Sequence, residues 1–195
     1  MGLIDSRYYD AFISYAHDDN VLHDDAVQVF QRYLKPRFEA EFRLLGPSKG
    51  EAEVFMDTNG LPANGDLSDA IKEALKRTVF LIIFLGRSYP NSVWCGKELK
   101  LFMDQFSGSR KEALERTFLI VLDKAVEGKN WGCYLENPDR PIFEKFYDEE
   151  TGHHIPPMLE DRNGQAVTGP RFLKGIRKIA ETMAQRAVEL AAGLK

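Results

Sequence analysis

The sequence predicts an α/β protein built on a central parallel sheet with helices on both faces. Two observations carry that prediction. Short apolar segments at 9–15, 53–57, 79–85 and 117–122 alternate with segments of helical periodicity. Such alternation specifies parallel strands joined by right-handed helical crossovers. In addition, VFLIIFL at 79–85 is apolar throughout, without the in–out alternation of a half-exposed strand. A parallel strand covered on both faces requires that composition.

The first strand is YDAFISY at 9–15, followed by polar AHDDN, in which Asp18 and Asp19 read as a solvated helix start. Residues 21–45 read as one helix, with Val27, Phe30, Tyr33 and Leu34 on one face and Pro36 as a kink or break. GPSKGE is a loop and EVFMD at 53–57 is the second strand, while TNGLPANGD at 58–66 is too rich in Gly, Pro and Asn to be anything but a loop. Asp66 suits the N-cap of the next helix, with Asp69 in its first turn and Leu67, Ala70, Ile71, Ala74 and Leu75 as its apolar stripe.

After the apolar strand, residues 92–106 form a helix in which Trp94, Cys95, Leu99, Phe102 and Phe106 have buried spacing. Glu98 lies against the edge of that stripe. TFLIVL at 117–122 is a further buried strand, RPIFEKFY at 140–147 a candidate fifth, and HHIPPMLEDRNG a long loop. Residues 170–194 close the chain as an amphipathic helix carrying Phe172, Ile176, Ile179, Met183, Ala187 and Leu190 at helical spacing.

Bulk composition narrows the function classes. With 195 residues, 44% hydrophobic and 29% charged, the chain suits one globular domain with a full core. A net charge of −4 with scattered basic residues argues against a nucleic-acid surface. Cys95 and Cys133 lack a CxxC or Cys/His partner, which suits a reduced, cytoplasmic chain. His153 and His154 are adjacent and cannot share a helical face as metal ligands do, so no metal site is expected. No apolar run approaches the ~18 residues of a membrane span, and the N-terminus lacks a secretory signal.

In an open α/β sheet, ligands bind beyond the carboxyl ends of the strands. Here those ends are residues 14–19, 57–65 and 86–94, the last leading directly into the helix of Glu98. From the residues alone Glu98 is either a solvated acid favouring the helix dipole or part of an active site. There is no GxxxxGK[ST], GxGxxG or GxSxG motif. A phospho-receiver arrangement fits poorly, because the first-strand acids come late and Asp57 ends the second strand rather than the third.

Three segments in order, YDAFISYAHDD at 9–19, VFMDTNGLPANGDLSDAIKEAL at 54–75 and VFLIIFLGRSYPNSVWCGKEL at 79–99, resemble the Toll/interleukin-1 receptor (TIR) domain family. The likeness spans roughly residues 8–123 and implies a three-layer flavodoxin-like fold with about five parallel strands. It implies one TIR domain over 1–195, with a less regular part at 124–169 and a closing helix at 170–194. Many bacterial and plant members cleave NAD+ at the nicotinamide–ribose bond, as substrate and without another cofactor. In those members the catalytic residue is the glutamate of Trp-Cys-x-x-Glu, which falls on Glu98.

By the same resemblance, Trp94 and Cys95 flank the site, and Ser14, Tyr15 and His17 line the nicotinamide end. Asp57, Leu61 and Gly65 belong to the mobile BB loop, which meets a neighbouring subunit in enzymatic members. The implied partners are NAD+, further copies through TIR–TIR and BB-loop contacts, and a sensor, effector or additional C-terminal domain. The loop sequence LPANGD departs from the common Pro-Gly or Ala-Gly step, and the C-terminal Phe-Trp signature of animal receptors is absent. The resemblance thus points to a bacterial-type NAD+ hydrolase or ADP-ribosyl cyclase in antiviral defence or immune signalling. The alternative it leaves is a non-catalytic TIR scaffold, or an effector that engages host TIR proteins.

Overall fold

The protein is represented by a computed structural model that describes residues 3–4, 9–46, 50–57, 67–107, 109–126 and 142–193. Five strands, β1 (Tyr9–Tyr15), β2 (Val54–Met56), β3 (Thr78–Leu85), β4 (Thr117–Val121) and β5 (Ile142–Lys145), form one sheet in the order β2-β1-β3-β4-β5. Every pairing in it is parallel. That order is the flavodoxin-like one among doubly wound sheets, so the expected fold class is the observed one. Among the described residues six helices accompany it: α1 (His17–Leu22), α2 (Ala26–Leu45), α3 (Asp69–Lys76), α4 (Val93–Asp104), α5 (Arg110–Glu115) and α6 (Pro170–Gly193).

Alternation along the strands divides the interior into two cores. Ala11, Ile13, Phe80, Ile82 and Phe84 face α2 and α6, where they meet Val27, Phe30, Leu34, Phe172, Ile176 and Met183. Phe12, Leu81, Ile83 and Leu85 face the other way, toward Ile71 and Leu75 of α3 and Leu99 and Phe102 of α4. Strand β3 lies at the centre of the order, and all eight of its residues are buried. Its unbroken apolar run thus serves both layers. Asp10, buried within β1, accepts the main-chain N–H groups of Leu3, Ile4 and Glu53 and so satisfies its carboxylate locally.

Several local expectations change. The single helix over 21–45 is two, because His23 ends α1 and Asp24 and Asp25 take left-handed φ values of 55° and 54°. Pro36 does not end α2, since Phe30, Leu34 and Phe38 are buried on both sides of it and packing overrides the lost N–H. Tyr33 lies at the edge of that face, where its hydroxyl accepts from Thr168. Ser68 caps α3 by accepting the Ile71 N–H at 3.3 Å, and Ala70 is exposed; the proposed cap Asp66 lies outside the described residues. The long loop over 153–164 contains a strand: β6 (Met158–Glu160) pairs antiparallel with β7 (Ala166–Thr168) around Gly164, whose φ is +73°.

The packing of α6 on the sheet sets a sharp test. A methyl group at Gly175 would stand 2.6 Å from Cζ of Phe146, whose ring is buried edge-on against Phe30 and Phe172 and cannot swing aside. Gly175→Ala is expected to destabilise the fold by about 1–3 kcal/mol, despite the helix propensity it adds. Thermal melting is expected to drop by several degrees, whereas Gly96→Ala, which meets nothing within 4 Å, is expected to leave it unchanged or raise it.

Candidate active site

The β2-β1-β3 order creates a crevice where connections leave β1 and β3 in opposite directions, and ligands of such sheets bind there. A cavity of about 780 Å3 opens at that edge. Tyr15, Ala16, His17 and Asp18 line it from the end of β1 and the start of α1, and Asp57 from the end of β2. Arg87, Ser88, Asn91 and Ser92 approach from the segment after β3, with Val93, Trp94 and Glu98 on α4.

Local sequence explains how α4 is aimed. Ser92 is its N-cap and accepts the Cys95 N–H at 3.3 Å, after a single 3-10 turn over Tyr89–Asn91 that contains Pro90. Cys95, Leu99 and Phe102 then sit in the core, which fixes the roll of the helix. Glu98 therefore points back toward the end of β1, where only 8% of it is exposed. Ser14 donates a hydrogen bond to its Oε2 at 2.5 Å, and the Tyr89 hydroxyl lies 2.8 Å from the same serine Oγ.

Burial pushes the Glu98 carboxyl up to about 7; the Ser14 hydrogen bond opposes that rise and the nearby Asp57 charge adds to it. The carboxylate is thus strained toward neutrality by its surroundings and rescued by one hydroxyl. Cys95 carries its thiol away from reactivity, pushed up to about 12 chiefly by burial. The phenol of Tyr15 is also raised by burial and by Asp57, and its hydroxyl donates to the Asp57 carbonyl at 2.8 Å, tying β1 to the end of β2.

Of the residues proposed from sequence, Tyr15, His17, Asp57, Trp94 and Glu98 share this cavity. Ser14 and Cys95 stand behind its wall, both buried, Ser14 beneath Glu98 and Cys95 in the core. Leu61 and Gly65 lie outside the described residues. Among the described residues no cluster of His, Cys, Asp and Glu suits a metal ion, and no helix is long and apolar enough to cross a membrane.

Four contributors were given no site role from the sequence: Tyr89, Asp19, Gly86 and Arg87. Tyr89 is fully buried and reaches Ser14. Asp19, read above as solvated, is 1% exposed, and its two carboxylate oxygens accept the Ser88 and Tyr89 N–H groups at 2.8 Å each. Gly86 makes that possible, since a methyl group there would meet the Asp19 carboxylate at 2.3 Å. Arg87 at the cavity wall pairs with Asp123; burial alone would raise that carboxyl, but the arginine holds it below the usual range. The spacing of these residues along the chain carries no trace of the contacts.

The raised Glu98 carboxyl has a consequence for stability. Its ordinary value of 4.5 applies to the unfolded chain, so between pH 4.5 and about 7 the folded state holds a proton that the unfolded state has released. Stability from this group is complete below that window and lost as pH rises through it, by on the order of 3 kcal/mol. Glu98→Gln is expected to melt roughly 5–10 °C above the parent at pH 8, with the difference vanishing near pH 4. Melting curves at the two pH values check it.

Comparison with known proteins agrees with the family resemblance of the sequence. Residues 11–132, more than half of the 195-residue chain, match the model of the TIR domain family. Among solved structures, similarity is found to the TIR domains of the activated Roq1 resistosome directly recognising the pathogen effector XopQ. Identity there is 16% and the TM-score 0.39, over 91% of this chain and 84% of that one. No curated protein matches the chain. A family match across the first four strands and the whole described wall of the cavity means that the chain belongs to the TIR domain family.

Proposed function

We propose that this TIR domain cleaves NAD+ at the nicotinamide–ribose bond, with Glu98 as its catalytic residue. The observation that carries the reading is a carboxylate buried at the sheet edge, yet forming part of the wall of a cavity of about 780 Å3. That volume falls within the ~300–1,000 Å3 usual for ligand sites. The chemistry suits a lone carboxylate. Glycosidases acting on ordinary sugars need a second acid to protonate the leaving oxygen. In NAD+ the leaving group is a pyridinium; when the C–N bond breaks, its electron pair neutralises the ring nitrogen and nicotinamide departs without a proton.

Positive charge then develops on the ribose, and an ionised Glu98 stabilises it more in the transition state than in the ground state. Water adds to the anomeric carbon and passes its proton to Glu98, giving ADP-ribose; capture of the same ADP-ribosyl cation by one of its own nucleophilic atoms, in place of water, gives a cyclic form. Trp94, whose ring is covered by Lys97 at 5.6 Å, offers a flat wall for the ribose or nicotinamide. Tyr15, His17 and Asp57 are assigned to the nicotinamide end, and Arg87 offers a cation for the phosphates. By the family resemblance the BB loop, to which Leu61 and Gly65 are assigned, mediates contact between copies, and the protein acts in the cytoplasm within a bacterial antiviral or immune signalling system.

The test is nicotinamide release from NAD+ by the assembled protein. Glu98→Gln is expected to lose at least about 100-fold in rate, and Trp94→Ala to raise KM. Because the ionised carboxylate is the active form, kcat/KM of the parent is expected to climb from pH 5 to pH 8 around a midpoint near 7. Equal release by parent and Glu98→Gln, or none from the assembled parent, rejects catalysis in favour of a scaffold role.

A further inference from the structure

Glu98 is one end of a buried chain of hydroxyl groups that a binding site alone does not require. Ser14 Oγ stands 2.5 Å from Glu98 Oε2 and 2.8 Å from the Tyr89 hydroxyl, and both Ser14 and Tyr89 are 1% exposed. A serine hydroxyl has one hydrogen. When that hydrogen is given to the ionised Glu98, the Tyr89 hydroxyl must be the donor to Ser14. The order Tyr89→Ser14→Glu98 is therefore fixed whenever the carboxylate is charged.

The main chain of Tyr89 is itself locked, because Asp19 accepts its N–H and that of Ser88. The three residues come from β1, from the turn after β3 and from α4, so the chain forms only in the folded protein.

We propose that Tyr89 and Ser14 are positioning residues that hold Glu98 with Oε2 turned inward, leave Oε1 for the cavity, and stabilise its ionised form. The role of the carboxylate in cleavage rests on the function proposed above; the relay itself does not. Hydrogen bonds in series strengthen one another, so the tyrosine makes the serine a better donor. The relay orients the carboxylate and favours its charge.

Other groups around Glu98 could also bias its charge. Asp57 from the end of β2 opposes ionisation. Tyr15 from β1 and Cys95 on α4 both stay neutral in the working range, their phenol and thiol pushed upward. His17, Asp18 and Arg87 line the same cavity. None of these is touched by the substitutions used to test the relay.

The experiment follows the side-chain carboxyl carbon of Glu98 by NMR titration in the full chain, with kcat/KM against pH as a second reading. Ser14→Ala is expected to raise the Glu98 midpoint by about one pH unit or more. Tyr89→Phe is expected to raise it by less, and Ser14→Thr, which restores the hydroxyl, to stay close to the parent. A residue that mattered only for packing would lower melting temperature or rate evenly across pH and leave the midpoint in place. An unmoved midpoint in both Ser14→Ala and Tyr89→Phe overturns the relay, even if Glu98→Gln abolishes nicotinamide release. A shifted midpoint together with full release by Glu98→Gln keeps the relay and overturns the cleavage reading instead.

Discussion

A central parallel strand has to be covered on both faces, and Thr78–Leu85 meets that constraint with eight buried side chains. Everything else is arranged around it. Phe80, Ile82 and Phe84 turn to the α2–α6 layer, and Leu81, Ile83 and Leu85 to the α3–α4 layer. Because β1 and β3 are neighbours whose crossovers depart on opposite sides, their carboxyl ends part and leave the crevice that holds the cavity. The site is a by-product of satisfying the strand.

Placing a carboxylate at that crevice has a cost, and the surrounding contacts limit it. Desolvation drives Glu98 toward neutrality, while a single charge-assisted hydrogen bond from Ser14 opposes it. The balance leaves the group poised near neutral pH, as the proposed cleavage would require of it. Asp19, by contrast, is buried with both oxygens occupied by main-chain N–H groups, so it works as a rigid bracket for the segment 88–89. Two buried acids, both at the carboxyl edge of the sheet, have opposite duties because one faces a cavity and the other faces donors.

Much of this was legible in the chain. The order of strands and helices, the uninterrupted apolar run of β3 and the burial of Leu99 and Phe102 follow from periodicity, since each is a local pattern of residue type. Glu98 stood out because a charged side chain at the edge of an apolar stripe is itself a local anomaly. Less was legible where a non-local contact decides the outcome. Pro36 continues α2 because three buried side chains hold the helix on both sides, and Met158–Glu160 is a strand because Ala166–Thr168 comes back to pair with it. Asp19 read as solvated, since nothing in HDDN announces that Gly86 leaves room for its carboxylate.

The sequence by itself determined the α/β class, the TIR resemblance and the candidacy of Glu98, because residue type and spacing along one strand or helix are enough for each. Tertiary structure alone decided that Ser14 lies beneath the carboxylate rather than in the cavity, and that Tyr89 stands behind Ser14. It also decided that Arg87 and Asp123 meet across 36 positions. These contacts join side chains from separate strands and turns, and their geometry is set by how the sheet edge closes. The packing of two cores against one strand chooses that closure, and no stretch of the chain read alone contains it.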